Sequence, residues 1–205
     1  MEIKNNKTEV PLAHYRALFA QADPEEIAVR TGAVFEPEPG TFAMHLLGRR
    51  VRVAWPEGIV SFPEDGARPV GDHVPILLLR YLLEGSCAES GGKFLAWQET
   101  PWGEARFTRF RVRCILRLAY SFGHDPERFS RACAALGGMP APVADRAFEI
   151  PFLEQLRVRL LLWEGDEESR PSAQILFSDN FPLAFSAEDM AVVGDVLLSE
   201  MKKAR

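Results

Sequence analysis

Cysteine is scarce in this chain, and the short motifs that mark common enzyme classes are missing. The three cysteines, Cys87, Cys114 and Cys133, are widely separated and contain no C-x-x-C pair, so the sequence predicts no disulfide framework. The four histidines contain no H-E-x-x-H pair, which removes the usual zinc signature. No serine lies in a G-x-S-x-G elbow, and no glycine cluster has the spacing of a phosphate-binding loop. The sequence therefore indicates no catalytic centre by motif and identifies no cofactor.

Long apolar runs and an excess of basic residues are also missing. The longest apolar runs, such as residues 76–79, are far too short to cross a bilayer, and the N-terminal residues lack the apolar core of a signal peptide. Acidic residues outnumber basic ones by 29 to 24, and the formal net charge of −5 argues against non-specific binding of nucleic acid. We therefore expect a cytoplasmic protein that binds neither membrane nor nucleic acid. Buried free thiols at Cys114 and Cys133, which fall on apolar helix faces, fit that reducing compartment.

The chain does contain the mixture of helical and strand-like patterns that is typical of an α+β fold. With 205 residues, of which 47% are hydrophobic, it is long enough to bury a substantial core. Helices are predicted within residues 11–32, where Asp23-Pro24 marks a helix start. Alternating apolar residues and turns predict a β meander over residues 33–62. A mixed α/β remainder follows, so we expect a single domain over residues 1–205, with helices packed on a mainly antiparallel sheet.

In the remainder, hydrophobic periodicity separates helices from strands. Helices are predicted over residues 72–84, over residues 105–121, after Asp125-Pro126 and after Ser186, with Asp189 in a capping-box-like position. Strands are predicted over residues 93–100, 145–150, 155–163 and 172–178. The last two strands follow each other along the chain, so the segment that joins them is expected to be a turn or a loop.

That joining segment is strongly acidic, and we call it the acidic turn. Its carboxylates are Glu164, Asp166, Glu167 and Glu168. Three interpretations stay open: a solvated turn that keeps an apolar strand pair soluble, a site for a metal ion or cationic ligand, and a docking patch for a protein partner. The spacing of a calcium-binding loop is absent. Asp179, after the next strand, joins these acids only if the connection is long, because in a tight hairpin it lies at the opposite end.

An arginine stripe runs along the predicted helix over residues 105–121. At about 100° per residue, its members fall within roughly a quarter of the helix circumference. They are Arg106, Arg109, Arg113 and Arg117. Guanidinium groups bind carboxylates and phosphates in a fork, so the stripe indicates a site for an anionic ligand. The alternative is a salt-bridged surface on which local acids, including those of the acidic turn, neutralise the stripe.

Two tryptophans lie just before the arginine stripe. Trp97 and Trp102 belong to an aromatic segment that ends in the turn Pro101-Trp102-Gly103. Ligand pockets favour aromatic linings with a few polar groups, so these rings are candidates for the walls of a pocket for a flat apolar ligand. The alternative is that both rings serve only core and turn packing.

Several strings of the sequence resemble an uncharacterised domain-of-unknown-function family of bacteria and archaea, many of them anaerobes. The strings run from the second helix towards the last: Tyr81-Leu82-Leu83, Gly92-Lys93-Phe94, Gln98-Glu99, Leu136-Gly137-Gly138, Leu162-Trp163-Glu164-Gly165-Asp166-Glu167-Glu168 and Ile175-Leu176-Phe177. Some members of that family carry an additional four-cysteine iron–sulfur module. This sequence has no cysteine cluster, so no cluster ligands carry over, and Ser169 stands where the family has an apolar residue. The resemblance implies an accessory role near redox or cofactor metabolism and supplies no active site.

Two main hypotheses follow, and whether the chain is an enzyme stays open between them. The first is a non-catalytic ligand-binding or accessory protein of cofactor or redox metabolism, whose partner is an anionic small molecule or a protein. Its site lies between the acidic turn, the arginine stripe and the tryptophans, and comprises Trp97, Trp102, Arg106, Arg109, Arg113, Arg117, Glu164, Asp166 and Glu167. The second is a divalent-metal-assisted hydrolase or transferase, in which acids of the turn, with Asp179, hold the ion and Arg109 or Arg113 steadies an anionic substrate. A pure protein-interaction module is the third.

Overall fold

Two short helices open the described part of the chain. The structure, a computed structural model, describes residues 9–64, 71, 73–165 and 168–204. Helix α1 (Glu9–Phe19) is followed by α2 (Pro24–Thr31). The side chain of Asp23 accepts hydrogen bonds from backbone N–H groups in the first turn of α2, and Gly32 ends the helix at φ 70°. Both helix signals of the sequence, the cap with proline and the left-handed glycine, are thus realised.

A four-stranded β meander follows within the predicted range. Its strands are β1 (Val34–Glu36), β2 (Thr41–Leu46), β3 (Arg49–Ala54) and β4 (Ile59–Ser61). Met44 of β2 and Val51 of β3 are direct cross-strand partners, and both are buried. The period of two that predicts these strands therefore also decides which of their faces meets the core.

The segment predicted as a strand over residues 93–100 contains only a short one. Helix α3 (His73–Glu84) leads to β5 (Phe94–Ala96), and a 3₁₀ turn then covers Trp97–Glu99. Thr100 Oγ1 donates a hydrogen bond to the carbonyl oxygen of Trp97 over 2.7 Å and closes that turn. The predicted strand is too long because an alternating apolar pattern carries no signal for a turn held by such a side-chain contact. Asp72, the predicted cap of α3, lies outside the described residues.

A continuous helical run comes next. It consists of α4 (Gly103–Phe110), a π-helical segment (Arg111–Ile115) and α5 (Leu116–Phe122). The sequence predicts the helix but not the π-helical segment, whose wider hydrogen-bond ladder places one extra residue in a turn. Helix α6 (Pro126–Ala135) begins at the predicted cap, where Asp125 Oδ1 accepts a hydrogen bond from the Arg128 N–H over 2.8 Å.

Among the described residues, nine strands form one sheet. The remaining elements are β6 (Met139–Pro140), β7 (Arg146–Leu153), β8 (Leu156–Trp163), β9 (Ser172–Ser178), α7 (Phe181–Ala184) and α8 (Ala187–Lys203). The main strand order is β4-β3-β2-β7-β8-β9-β5, with β1 beside β2 and β6 beside β7. Each pairing is antiparallel. This confirms the predicted α+β fold with a mainly antiparallel sheet.

Helix α8 packs its predicted apolar face into the core. Ser186 caps it, because the Ser186 Oγ accepts a hydrogen bond from the backbone N–H of Asp189 over 3.3 Å. The buried residues of the predicted face are Met190, Val193, Leu197 and Met201. The position of the last helix in the chain, its first residue and its buried face therefore all agree with the sequence prediction.

Two further expectations concern the thiols and the membrane. Cys114 and Cys133 are fully buried and unpaired, as predicted, whereas Cys87 is half-buried. Burial raises the pKa of the Cys114 thiol to about 12 and raises that of Cys133 as well. Of the helices within the described ranges, none combines the length and the apolar character that crossing a membrane requires.

Candidate functional site

A cavity of about 690 Å³ lies among helices α1, α3, α4 and α8 and the π-helical segment. Its volume falls in the range of roughly 300–1,000 Å³ that is usual for small-molecule sites. We call it the arginine cavity because four arginines line it: Arg80, Arg106, Arg109 and Arg113. Its lining combines these cations with aromatic and aliphatic side chains, so it offers both charge and apolar surface.

The floor of the arginine cavity is apolar and consists of Leu77, Trp97 and Phe110. Each of these side chains is 1% exposed. The ring of Trp97 stacks on that of Phe110 with 4.0 Å between the ring centroids and 11° between their planes. The Trp97 Nε1–H donates a hydrogen bond to the carbonyl oxygen of Gly103 over 2.7 Å. A Cβ at Gly103 would lie 1.7 Å from the Trp97 carbonyl oxygen. The backbone at residue 103 can therefore approach the backbone of Trp97 this closely only with glycine.

The rim of the arginine cavity carries three exposed arginines, Arg106, Arg109 and Arg113. They stand three and four residues apart, so the helical run presents them on one face. Arg113 forms an ion pair with Asp195 of α8, and its hydrogen bond to that carboxylate raises the pKa of Arg113. Arg106 and Arg109 form no ion pair with any residue in the described ranges. Two guanidinium groups at the rim are therefore available to an anion.

A partly buried ion pair lies deeper in the wall of the arginine cavity. Arg80 Nε is 3.1 Å from Asp189 Oδ1, at ion-pair distance but without the alignment of a hydrogen bond. Asp189 is 4% exposed, and its Oδ2 accepts a hydrogen bond from Ser186 Oγ over 2.6 Å. Burial raises the pKa of Asp189, against the opposing effects of Ser186 and Arg80. The Arg80 guanidinium carbon also lies 5.4 Å from the centroid of the Tyr15 ring.

The structure brings four of the predicted site residues together at the arginine cavity: Trp97, Arg106, Arg109 and Arg113. Trp102 is 81% exposed and is not part of the cavity lining. Arg117 is turned away towards α8, where its Nη1 lies 3.1 Å from Asp195 Oδ1 and its Nη2 donates to Ser199 Oγ over 3.4 Å. Asp195 thus holds Arg113 and Arg117 together, so the stripe is divided into paired and unpaired arginines.

The acidic turn does not neutralise the arginine stripe through Glu164. The Glu164 Oε1 lies 3.1 Å from Arg146 Nε, and the Glu164 N–H donates to Asp145 Oδ2 over 3.1 Å. Glu164 is not part of the cavity lining, while Asp166 and Glu167 lie outside the described residues. The counter-charge of Arg113 and Arg117 is Asp195, which the sequence does not single out because α8 meets this helix only through tertiary packing.

Asp179 lies at the far end of the strand pair from Glu164. Strands β8 and β9 pair from Trp163↔Ser172 to Val158↔Phe177, so about 20 Å of strand separates the two carboxylates. The Asp179 Oδ1 accepts hydrogen bonds from Ser90 Oγ over 2.6 Å and from the Gly91 N–H over 3.1 Å. The hydrogen bond from Ser90 lowers the pKa of Asp179. Within the described ranges, no three His, Cys, Asp or Glu side chains form a group that could hold a metal ion.

The model of the family described as Domain of unknown function (DUF3786) matches residues 23–200. The chain belongs to this family. The resemblance seen in the sequence strings is thereby confirmed as membership of a domain-of-unknown-function family, over the stretch from the cap of α2 into α8. No curated protein and no solved structure matches the chain.

The stretch that matches the DUF3786 family contains most of the cavity lining, including two residues that sequence reasoning misses. Arg80 and Asp189 both lie within it. Asp189 carries a sequence signal, its place three residues after the Ser186 cap, but that signal indicates only the helix start. Arg80 lies on an apolar helix and carries no signal of its own. Their contact depends on α3 packing against α8, which no local pattern specifies.

Proposed function

We propose that this DUF3786 protein is a non-catalytic binding protein for a small anionic ligand, which it holds in the arginine cavity. The observation that carries the proposal is the pair of rim arginines, Arg106 and Arg109, that have no ion pair within the described residues. Like charges so close together repel each other, and an anion bound in their forks removes that repulsion.

The charge of the lining supports an anion rather than a cation. The four arginines of the lining face three carboxylates, Glu188 and Asp189 of the lining and Asp195 beside Arg113, which leaves a formal charge of +1. The chain as a whole carries −5. A concentration of positive charge on a surface that is acidic elsewhere attracts anions to one place, because a partly enclosed cleft focuses the field.

The binding role also fits the chemistry of the lining. Among the described lining residues there is no serine, threonine, cysteine or lysine, and the buried carboxylate Asp189 is held by Arg80 and Ser186. The setting we propose, an accessory role in cofactor or redox metabolism, rests on the family resemblance alone. For a metal-assisted hydrolase or transferase at the acidic turn, the described residues offer no supporting contact, since Glu164 binds Arg146 and Asp179 lies at the opposite strand end.

Isothermal titration calorimetry tests the proposal with three anionic probes: pyrophosphate, citrate and phenyl phosphate. The double variant R106Q/R109Q removes the two unpaired rim charges. We expect it to weaken the affinity for the tightest probe at least about tenfold, because hydrogen bonds to charged groups contribute about 1.5–3 kcal/mol each.

The matched control is R111Q/R131Q, which removes the same charge from two exposed arginines outside the cavity lining. We expect it to change the affinity no more than about threefold, since neither side chain lines the cavity and exposed charges are screened by salt. The proposal is wrong if none of the three probes binds the wild type, or if both double variants weaken binding equally.

A further inference from the structure

We infer that the ligand is an amphiphilic anion, with its charged group on Arg106 and Arg109 at the rim and an apolar ring-bearing body on the floor of the arginine cavity. This inference rests on the proposed function and adds the chemical class of the ligand to it. The observation behind it is the separation of charge and apolar surface by depth within one cavity.

That separation follows from the exposure of the lining residues. The floor residues Leu77, Trp97 and Phe110 are each 1% exposed, whereas the rim arginines are exposed. Ile76 of α3 and Val192 of α8 add half-buried aliphatic surface between the two levels. The floor residues are already out of water, so a ligand that lies over them covers the half-buried side chains of Ile76 and Val192, and this is favourable only for an apolar group.

The charges in the deeper wall are already matched by the protein. Arg80 is paired with Asp189 in this wall, and at the rim Arg113 is paired with Asp195. A second anionic group beside Asp189 would meet a buried carboxylate, and a cationic group there would meet Arg80. The deep part of the ligand is therefore uncharged, and its charge lies at the rim, where Glu188 is the remaining exposed carboxylate of the lining.

The volume of the cavity also favours more than a bare inorganic anion. Phosphate occupies on the order of 100 Å³ by comparison with the ~30 Å³ of one water molecule, against a cavity of about 690 Å³. A bare anion would leave most of this space in contact with water on one side and with aliphatic and aromatic side chains on the other. An attached ring fills that space and covers the half-buried aliphatic side chains of Ile76 and Val192.

Two pairs of probes test the inference by calorimetry at fixed ionic strength: phenyl phosphate against inorganic phosphate, and benzoate against acetate. We expect at least one ring-bearing probe to bind about tenfold or more tightly than its ring-free counterpart, from the apolar area that the ring buries. The pair that responds identifies the head group as phosphate or carboxylate. Benzyl alcohol, which has the ring without charge, is expected to bind more weakly than both ring-bearing anions.

A variant that fills the cavity separates ring binding from anion binding. Ile76→Trp places an indole beside the floor and is expected to remove the advantage of the ring while leaving the affinity for inorganic phosphate within about threefold. Leu18→Trp adds the same side chain at an exposed position of α1 outside the lining and serves as the control. Near-ultraviolet circular dichroism and urea unfolding verify that both variants are folded.

The outcomes distinguish this inference from the function on which it rests. If anions bind and the ring adds nothing, the ligand is not amphiphilic, although the anion-binding function stands. If benzyl alcohol binds as tightly as phenyl phosphate, the rim arginines contribute nothing and both proposals are overturned. If no probe binds the wild type, both are also overturned.

Discussion

The close packing of α8 against the π-helical segment provides a quantitative test of how the rim is positioned. A Cβ at Gly194 would lie 2.6 Å from Cys114 Sγ and 3.3 Å from Cys114 Cβ. Cys114 belongs to the π-helical segment that also carries Arg113, so this contact fixes the distance between the rim and Asp195. The sulfur contact is about 1 Å shorter than a normal van der Waals approach, and we expect Gly194→Ala to overpack the interface.

The expected magnitude combines two opposing effects. Overpacking in a rigid interior costs about 1–3 kcal/mol, whereas replacing glycine by alanine within a helix favours folding by about 1 kcal/mol. In the wild type, Gly194→Ala should therefore lower the free energy of unfolding by about 0–2 kcal/mol. In a Cys114→Ala background the sulfur is gone, and the same change should be neutral or stabilising by up to about 1 kcal/mol.

Equilibrium unfolding in urea measures all four members of this double-mutant cycle. Cys133→Ala provides a control background, because Cys133 is as deeply buried as Cys114 but does not contact Gly194. Gly194→Ala should have the same effect with Cys133→Ala as in the wild type. If its effect were also unchanged with Cys114→Ala, the coupling energy would be near zero, and the close contact that positions the π-helical segment would be refuted.

Two further predictions concern titratable groups in the core and in the cavity wall. In the native protein, Ellman's reagent should titrate one thiol, that of the half-buried Cys87. Cys114 and Cys133 should react only after unfolding, because burial keeps the reagent away from their sulfur atoms and raises the pKa of both thiols. Two or three fast-reacting thiols in the native protein would contradict this packing. Burial raises the pKa of Asp189 above the ordinary value of an aspartate, so the folded state keeps this proton to a higher pH than the unfolded state does. Its contribution to stability is complete below that value and is lost as the pH rises through the raised pKa. In urea unfolding between pH 4 and 7, Asp189→Asn should therefore gain stability relative to the wild type as the pH rises, and a loss would show that the ion pair with the arginine outweighs burial.

The parts of the fold that follow local rules could be predicted from the sequence. Asp23 with its proline, Ser186 with its acidic third residue, and the alternation through Met44 and Val51 each specify a helix start or a strand face through neighbours in the chain. The same holds for the arginine stripe, since helical spacing alone places Arg106, Arg109 and Arg113 on one face. Those predictions do not depend on which helices and strands pack against each other.

The parts that depend on tertiary contacts could not be predicted. Arg80 meets Asp189 only because α3 lies beside the start of α8, and Asp195 holds Arg113 only because α8 packs on the helical run. The composition of the acidic turn suggested a counter-charge for the stripe, but the sheet register places Glu164 beside Arg146 of β7. The sequence thus shows which segments carry a high local charge, whereas the topology of the fold determines which oppositely charged residues they contact.

The most direct test of the central claim is to observe the rim arginines themselves while an anion binds. In a protein labelled with ¹⁵N-arginine, the Nε–Hε resonances are assigned with single Arg106→Gln and Arg109→Gln variants and followed during titration with phenyl phosphate. We expect the signals of Arg106 and Arg109 to move and to saturate together, while that of Arg159, whose Nε already donates to Glu149 over 3.1 Å, stays in place. If Arg106 and Arg109 do not move, or if Arg159 moves with them to the same extent, the arginine cavity is not an anion site.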